Sequence, residues 1–145
     1  MALVRLIYFS SVAATTTEID VLEIVGRAKA SNLNAGITGA LVMSKRHFLQ
    51  VLEGGQHEVS QLIFSISQDR RHYDVTLVSF EEIANRMFED WSMALFSLKD
   101  VDDNSRVLKH SASINFDPLA MRPASLLSLL KDLTRPDYPG RIFQL

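Results

Sequence analysis

The chain of 145 residues contains no cysteine. Disulfide staples, thiolate metal ligands and a cysteine nucleophile are therefore excluded, and a reducing cytoplasm is the expected setting. An excess of one charge is missing too: 15 Lys and Arg against 17 Asp and Glu leave a net charge of −2, which argues against a general nucleic-acid binder. No apolar run approaches the length of a membrane span. Arg5 interrupts the apolar start and no small-residue cleavage site follows, so no signal peptide is expected.

The usual marks of chemistry are also scarce. There is no Gly-x-Gly-x-x-Gly, and Gly36-Ile37-Thr38-Gly39 lacks the spacing and the lysine of a phosphate-binding loop. A nucleotide would have to be held by side chains rather than by a glycine cradle. His47, His57, His72 and His110 include no i, i+4 pair, so a structural metal site is not expected. No carboxylate stands inside an apolar run where its pKa would be lifted for acid–base work, and no nucleophile elbow appears. The chain is not expected to be an enzyme.

What is present centres on Asn32 to Gly55, NLNAGITGALVMSKRHFLQVLEGG. Two apolar runs, Gly39 to Met43 and Phe48 to Leu52, flank the polar tetrad Ser44-Lys45-Arg46-His47 and read as a β-hairpin. Alternation along the second run puts Phe48, Gln50 and Leu52 on one face, with Leu49, Val51 and Glu53 on the other. A buried primary amide left unpaired costs about 1–3 kcal/mol, so something polar must lie above Gln50. Either a neighbouring side chain or water satisfies it, or it faces a bound polar heterocycle.

Around this hairpin the elements follow in order. Leu3 to Ser10 is β-rich, with Val4, Leu6, Tyr8 and Ser10 on one face and Leu3, Arg5, Ile7 and Phe9 on the other. Thr15-x-x-Glu18 or Thr17-x-x-Asp20 then caps a helix running to about Ser31, with Val21, Leu22, Ile24, Val25 and Ala28 at helical spacing and Arg27 and Lys29 late. After Gly54-Gly55 a second helix carries Val59, Leu62, Ile63 and Ile66 and ends near Gln68. Val75 to Phe80 reads as a fourth strand, Ala84 to Met87 as a helical turn, and Ser92 to Leu98 as a fifth strand.

The pattern βαββαββ predicts an α+β, ferredoxin-like, mixed five-stranded sheet with two helices on one face and a C-terminal helical extension. The domain plan is 1–98 for a binding unit and 99–145 for the extension. Both faces of the sheet are apolar, so something must cover the back. Past the polar stretch Asp100 to Arg106, Ala124 to Leu133 sets Leu126, Leu129, Leu130 and Leu133 on one stripe between Pro123 and Pro136. That stripe can dock on its own sheet, on another subunit or on a partner. Asp137 to Leu145 is assigned no element.

Tyr8, Gln50 and Trp91-Ser92-Met93 fall on three different predicted strands. Together with Asn32 and the Gly36 to Gly39 turn, this set resembles the BLUF family, bacterial blue-light sensors that bind flavin. The similarity extends from Leu3 to Leu98 through Tyr8-Phe9-Ser10, Asn32 to Leu41, Phe48 to Gly54, Asp69-x-Arg71-His72 and Phe88-x-x-Trp91-x-Met93, five motifs in order.

The resemblance implies FAD, with FMN or riboflavin as alternatives, held non-covalently between the two helices. Asn32, Thr38, Gln50, Arg71, His72, Lys29 and Ile24 are the implied binding residues, with Arg71 and His72 on the ring-to-phosphate side. Tyr8 and Gln50 are the implied photochemical pair: Tyr8 gives an electron and a proton to the excited flavin, and Gln50 rearranges its hydrogen bonds, producing a red-shifted state. Trp91 and Met93 are the implied relay to the C-terminal helices, to a homo-oligomer and to an unidentified protein partner, with no role for nucleic acid or membrane. Position 31 is Ser where relatives often carry a larger side chain, and position 65 is Ser where some relatives place Arg, which puts the grip on the nucleotide half in question; Lys29 or Arg70 are the cations placed to compensate.

Each residue also has a reading without flavin. Asn32 serves as a helix C-cap; Arg70, Arg71 and His72 are cations at a helix C-terminus; Tyr8, Trp91 and Met93 are core residues. On that account the protein is a ferredoxin-like interaction or oligomerisation module without a chromophore. A flavin-dependent redox enzyme is disfavoured because no nicotinamide motif or evident substrate pocket appears.

Overall fold

The computed structural model describes residues 1–89, 93–98, 101–135 and 141–143. β1 (Leu3–Val12) leads into α1 (Glu18–Ala35), then β2 (Thr38–Met43), β3 (His47–Gly55), α2 (Gln56–Ser67), β4 (His72–Glu82) and β5 (Ala94–Ser97). The expected five strands pair in the order β4-β1-β3-β2-β5, with β2 and β5 parallel and the other neighbours antiparallel. This is the ferredoxin-like arrangement. A sixth strand, β6 (Arg141–Phe143), extends the sheet by pairing antiparallel with β5 in the tail to which no element was assigned.

Local chemistry sets the helix ends. Of the two candidate capping boxes, Thr17 with Asp20 forms: Asp20 N–H donates to Thr17 Oγ1 at 3.2 Å and Thr17 N–H to Asp20 Oδ2 at 2.8 Å. α1 continues past the expected Ser31 to Ala35, so Arg27 and Lys29 are not in its last turn. Gly36 ends it in the left-handed region at φ 69°, and Ile37 N–H donates to the Asn32 carbonyl at 2.8 Å, a Schellman closure. Gly39 is dictated by close approach, since a Cβ there would lie 2.0 Å from the Val51 carbonyl oxygen.

Two apolar layers flank the sheet. Val4, Leu6, Tyr8, Phe48, Leu52 and Met93 meet Val21 and Val25 of α1 and Val59 of α2 on the front. On the back, Ile7, Phe9, Leu49, Val51 and Phe96 pack against Leu126, Leu129, Leu130 and Leu133 of α4 (Pro123–Leu133). Of the three docking surfaces open to the leucine stripe, the structure therefore selects the chain's own sheet. Each leucine so buried contributes roughly 1.5–3 kcal/mol.

The expected helical extension begins with α3 (Val101–His110), formed by the polar stretch after Leu98 and with too few apolar residues to show a stripe. Arg106 and His110 instead reach Asp132 of α4, at 3.3 and 3.0 Å. Ala84 to Met87 is irregular rather than helical, because the N–H groups of Met87 and Phe88 are taken by the Glu53 carboxylate.

Candidate functional site

Tyr8 of β1 and Gln50 of β3 are register partners in an antiparallel ladder, so their side chains rise from the same face. Both are buried, at 3% and 7% exposure. The Tyr8 hydroxyl donates to Gln50 Oε1. The Gln50 amide nitrogen donates in turn to Met93 Sδ at 3.4 Å. Burial, aided by the Asp69 carboxylate, pushes the Tyr8 phenol well above its ordinary pKa of 10.0, so it stays protonated as a donor.

This chain of bonds floors a slot between α1 and α2. Its walls are apolar, with Ile24, Val25 and Ala28 from α1, Leu62 and Ile66 from α2, and Leu41 and Phe48 beneath. The slot holds about 620 Å³ of atom-free space, its open mouth included. Polar groups are few and placed at its edges: Gln50, Asn32, Asp69, Arg71 and His72. An apolar cleft with a handful of convergent polar groups fits a flat amphipathic ring system.

Asn32 lines the slot and is 2% exposed. It is not the C-cap of α1, a position taken by Gly36. His72 bridges two elements: Nε2 donates to the Ile66 carbonyl of α2 at 2.6 Å, so in the neutral ring Nδ1 accepts from Ser10 of β1 at 2.7 Å. Arg71 forms a fork with Asp69, Nε to Oδ1 at 2.9 Å and Nη2 to Oδ2 at 2.6 Å. That hydrogen-bonded cation holds the Asp69 carboxyl below its usual pKa.

The structure thus brings together Tyr8, Ile24, Asn32, Gln50, Arg71, His72 and Met93. It does not bring in two others. Lys29 is exposed on α1 and absent from the lining, because it stands off the helical face that carries Val21, Ile24, Val25, Ala28 and Asn32 to the slot. Thr38 is also outside the lining, and its Oγ1 accepts from Arg86 Nη1 at 2.9 Å. Ser31, Ser65 and Arg70 are exposed. Trp91 lies outside the described residues.

One group was missed. Glu53 is fully buried and accepts from Arg5 Nε at 2.9 Å and from the N–H groups of Met87 and Phe88 at 2.9 and 2.7 Å. Its shared face with Leu49 and Val51 was the available signal, because those two could not be core unless Glu53 was nearly so.

Comparison with known proteins adds three findings. A family model described as "BLUF: Sensors of blue-light using FAD" matches residues 3–94. The blue light- and temperature-regulated antirepressor BluF of Escherichia coli (strain K12) is 32% identical over 97 residues, 67% of this chain and 24% of that protein. The chain spans a quarter or less of the length of the curated relatives it matches. Among solved structures, BlsA in its photo-activated state superposes with a TM-score of 0.81 at 28% identity, covering 90% of this chain and 94% of that one. The dark-state structure of BlrB, a BLUF protein, gives 0.75 at 30% identity, covering 90% and 96%.

Proposed function

Because the chain belongs to the BLUF family, blue-light sensors that bind flavin, we propose that Tyr8 and Gln50 are its photochemical pair and that the slot between α1 and α2 takes FAD. FMN and riboflavin are the alternatives, since exposed Ser31 and Ser65 offer no charge to a nucleotide tail. The observation that carries the reading is the hydrogen-bonded chain Tyr8, Gln50, Met93 at the floor of an apolar slot.

When bound, the flavin supplies absorption of blue light and an excited-state electron acceptor. Ile24, Val25, Leu62 and Ile66, which line the slot, would clasp the ring and exclude water, and Asn32 and Gln50 would orient its polar edge. Tyr8 would be the residue that supplies the excited ring with an electron and with the proton held on Oη, and would take both back as the cycle closes. In the interval the Gln50 amide, released from its phenol donor, exchanges oxygen for nitrogen toward Tyr8 and Met93. A primary amide can do this without moving the backbone.

One neutral hydrogen bond is worth about 0.5–1.5 kcal/mol, whereas taking an equilibrium from 1:99 to 99:1 needs about 5.5 kcal/mol. The bond at Gln50 therefore needs an amplifier. Met93 leads directly into β5, and we assign it, with Trp91, as the relay to residues 99–145, the capping and output unit beyond the binding unit of residues 1–98. Output is a change in self-association or in affinity for a protein partner, in the cytoplasm, and the chain acts as a sensor rather than a catalyst. The test is an absorption spectrum of flavin-loaded protein before and after blue illumination. A small red shift that decays in darkness is expected; a bound flavin with no shift sinks the photochemical assignment.

A further inference from the structure

Glu53 has no part in that photochemistry, yet among the described residues it is the most heavily engaged carboxylate near the site. It lies three residues beyond Gln50 on β3 and faces the back of the sheet. Its register partner across the ladder is Arg5, whose Nε donates to Oε2 at 2.9 Å. Oε1 accepts from Met87 N–H at 2.9 Å and Phe88 N–H at 2.7 Å. Bonds also run the other way: Arg86 donates through Nη1 to the Glu53 carbonyl at 3.0 Å and through Nη2 to the Gly36 carbonyl at 2.6 Å. Residues 86–88 are thus pinned to β3 from both sides.

β3 holds this connection at a second point, five residues on, where Gln50 donates to Met93 Sδ. The two attachments differ in kind. Hydrogen bonds to an ionised carboxylate are roughly twice as strong as neutral ones, and a thioether sulfur is a weak acceptor. They also differ in where they lead, because Met93 belongs to the front layer with Tyr8, whereas Phe88 packs in the back layer with Leu126, Leu129 and Leu130 of α4.

From this arrangement we propose that Glu53 is a positioning residue for signal output. It fixes Phe88 to β3, so that a change at Gln50 displaces the Met93 end alone and is passed across the sheet to α4 about a held pivot. The inference rests on the reading of Gln50 as the light-responsive amide. Stability alone is a poor reason for an ion pair here, since a buried pair is often no better than apolar packing. The requirement met by Glu53 is to hold two backbone N–H groups in one place beside a site that moves.

The test uses the flavin-loaded full chain and Glu53→Gln, which keeps the volume and one carbonyl acceptor but removes the charge. Two readouts are needed: the light-induced red shift, and the light-minus-dark difference in amide hydrogen exchange over Pro123–Leu133. The expected result is an unchanged red shift with the exchange difference in α4 reduced by roughly fivefold or more, the low end of ordinary coupling strengths. In Glu53→Gln the buried Arg5 guanidinium keeps only the longer 3.5 Å pair with half-exposed Glu81, so the double variant Arg5→Met with Glu53→Gln should regain urea stability without regaining the α4 response. Recovery of that response together with stability would mean that Glu53 is only structural and would overturn the proposal. So would an α4 response in Glu53→Gln equal to the parent's, or loss of its red shift with flavin still bound. If Glu53→Gln does not fold, Arg86→Lys, which gives up the fork while keeping the charge, must show the same split. A parent chain that binds flavin but shows no red shift defeats the reading of Gln50 instead, a result separable from all of these.

Discussion

Tyr8 and Gln50 are bonded side chain to side chain because β1 and β3 pair them residue to residue. The contact is a property of sheet register, not of two flexible groups that happen to meet. Register is fixed in turn by the apolar residues on both faces of each strand, since a one-residue slip would reverse every side chain. On the proposed reading, a photochemical hydrogen bond placed this way would begin each cycle from one geometry.

Tyr8→Phe tests the donor. The ring still fills its place in the front layer, so bound flavin is retained while the proton on Oη is gone. Absorption spectra should show normal dark flavin and no light-induced red shift. A parent-like shift would remove Tyr8 from the photochemistry. Alkaline titration gives a second check. The folded phenol is held above its ordinary value by burial, and the unfolded phenol ionises near pH 10. Its contribution to stability is whole below about pH 10 and is lost as pH rises toward the folded value, a slope that Tyr8→Phe should lack.

Met93→Ala separates photochemistry from output. Gln50 keeps Tyr8 as a partner but loses the sulfur acceptor, and the side chain that leads into β5 is cut back. The red shift should survive, and the light-dependent change in oligomer size or partner affinity should shrink. Size-exclusion chromatography in darkness and under illumination measures it; an unaltered light response would rule out Met93 as the relay.

The fold was largely legible because its signals are local: alternation in Leu3 to Ser10 and Phe48 to Leu52, a capping box at Thr17, and a leucine stripe at Leu126 to Leu133. What escaped was specified at long range. The end of α1 at Ala35 depends on Gly36 taking a left-handed conformation, so Asn32 falls inside the helix and turns into the slot instead of capping it. α3 carries no apolar stripe and is held by charges on a helix 20 residues downstream or more. Alternation puts Glu53 on the face of Leu49 and Val51, but its partners come from Arg5 across the ladder and from the return of residues 86–88, which no local pattern shows. In the site, residues in the hairpin and in β1 were placed from alternation, whereas Lys29 and Thr38 were assigned by resemblance alone and do not line the slot.

Gly39→Ala tests the tightness of the hairpin that carries Gln50. The added Cβ would meet the Val51 carbonyl oxygen at 2.0 Å, and backbone cannot yield as a flexible side chain would. Overpacking of this kind costs roughly 1–3 kcal/mol and sometimes more. Urea unfolding should show a lower midpoint, and flavin retention should fall with it. A parent-like midpoint would mean that β2 and β3 are less closely paired than described.

Acid should loosen α3 from α4 before it unfolds the sheet. Asp132, 5% exposed, is faced by Arg106, Lys109 and His110 from α3 and by Arg135 beyond its own helix. Burial pushes its carboxyl upward, but the His110 hydrogen bond and the charges of Lys109 and Arg106 outweigh it and hold the pKa below the ordinary 3.8. A depressed carboxylate contributes stability above the unfolded value and loses it as pH falls through the folded one. Hydrogen exchange in α3 and α4 should therefore rise below about pH 4 while exchange in β1 and β3 stays slow. Asp132→Asn should show the faster α3 and α4 exchange already at neutral pH and respond less to acid. If that variant protects both helices as the parent does at pH 7, Arg106, Lys109 and His110 do not hold α3 to α4 through this carboxylate.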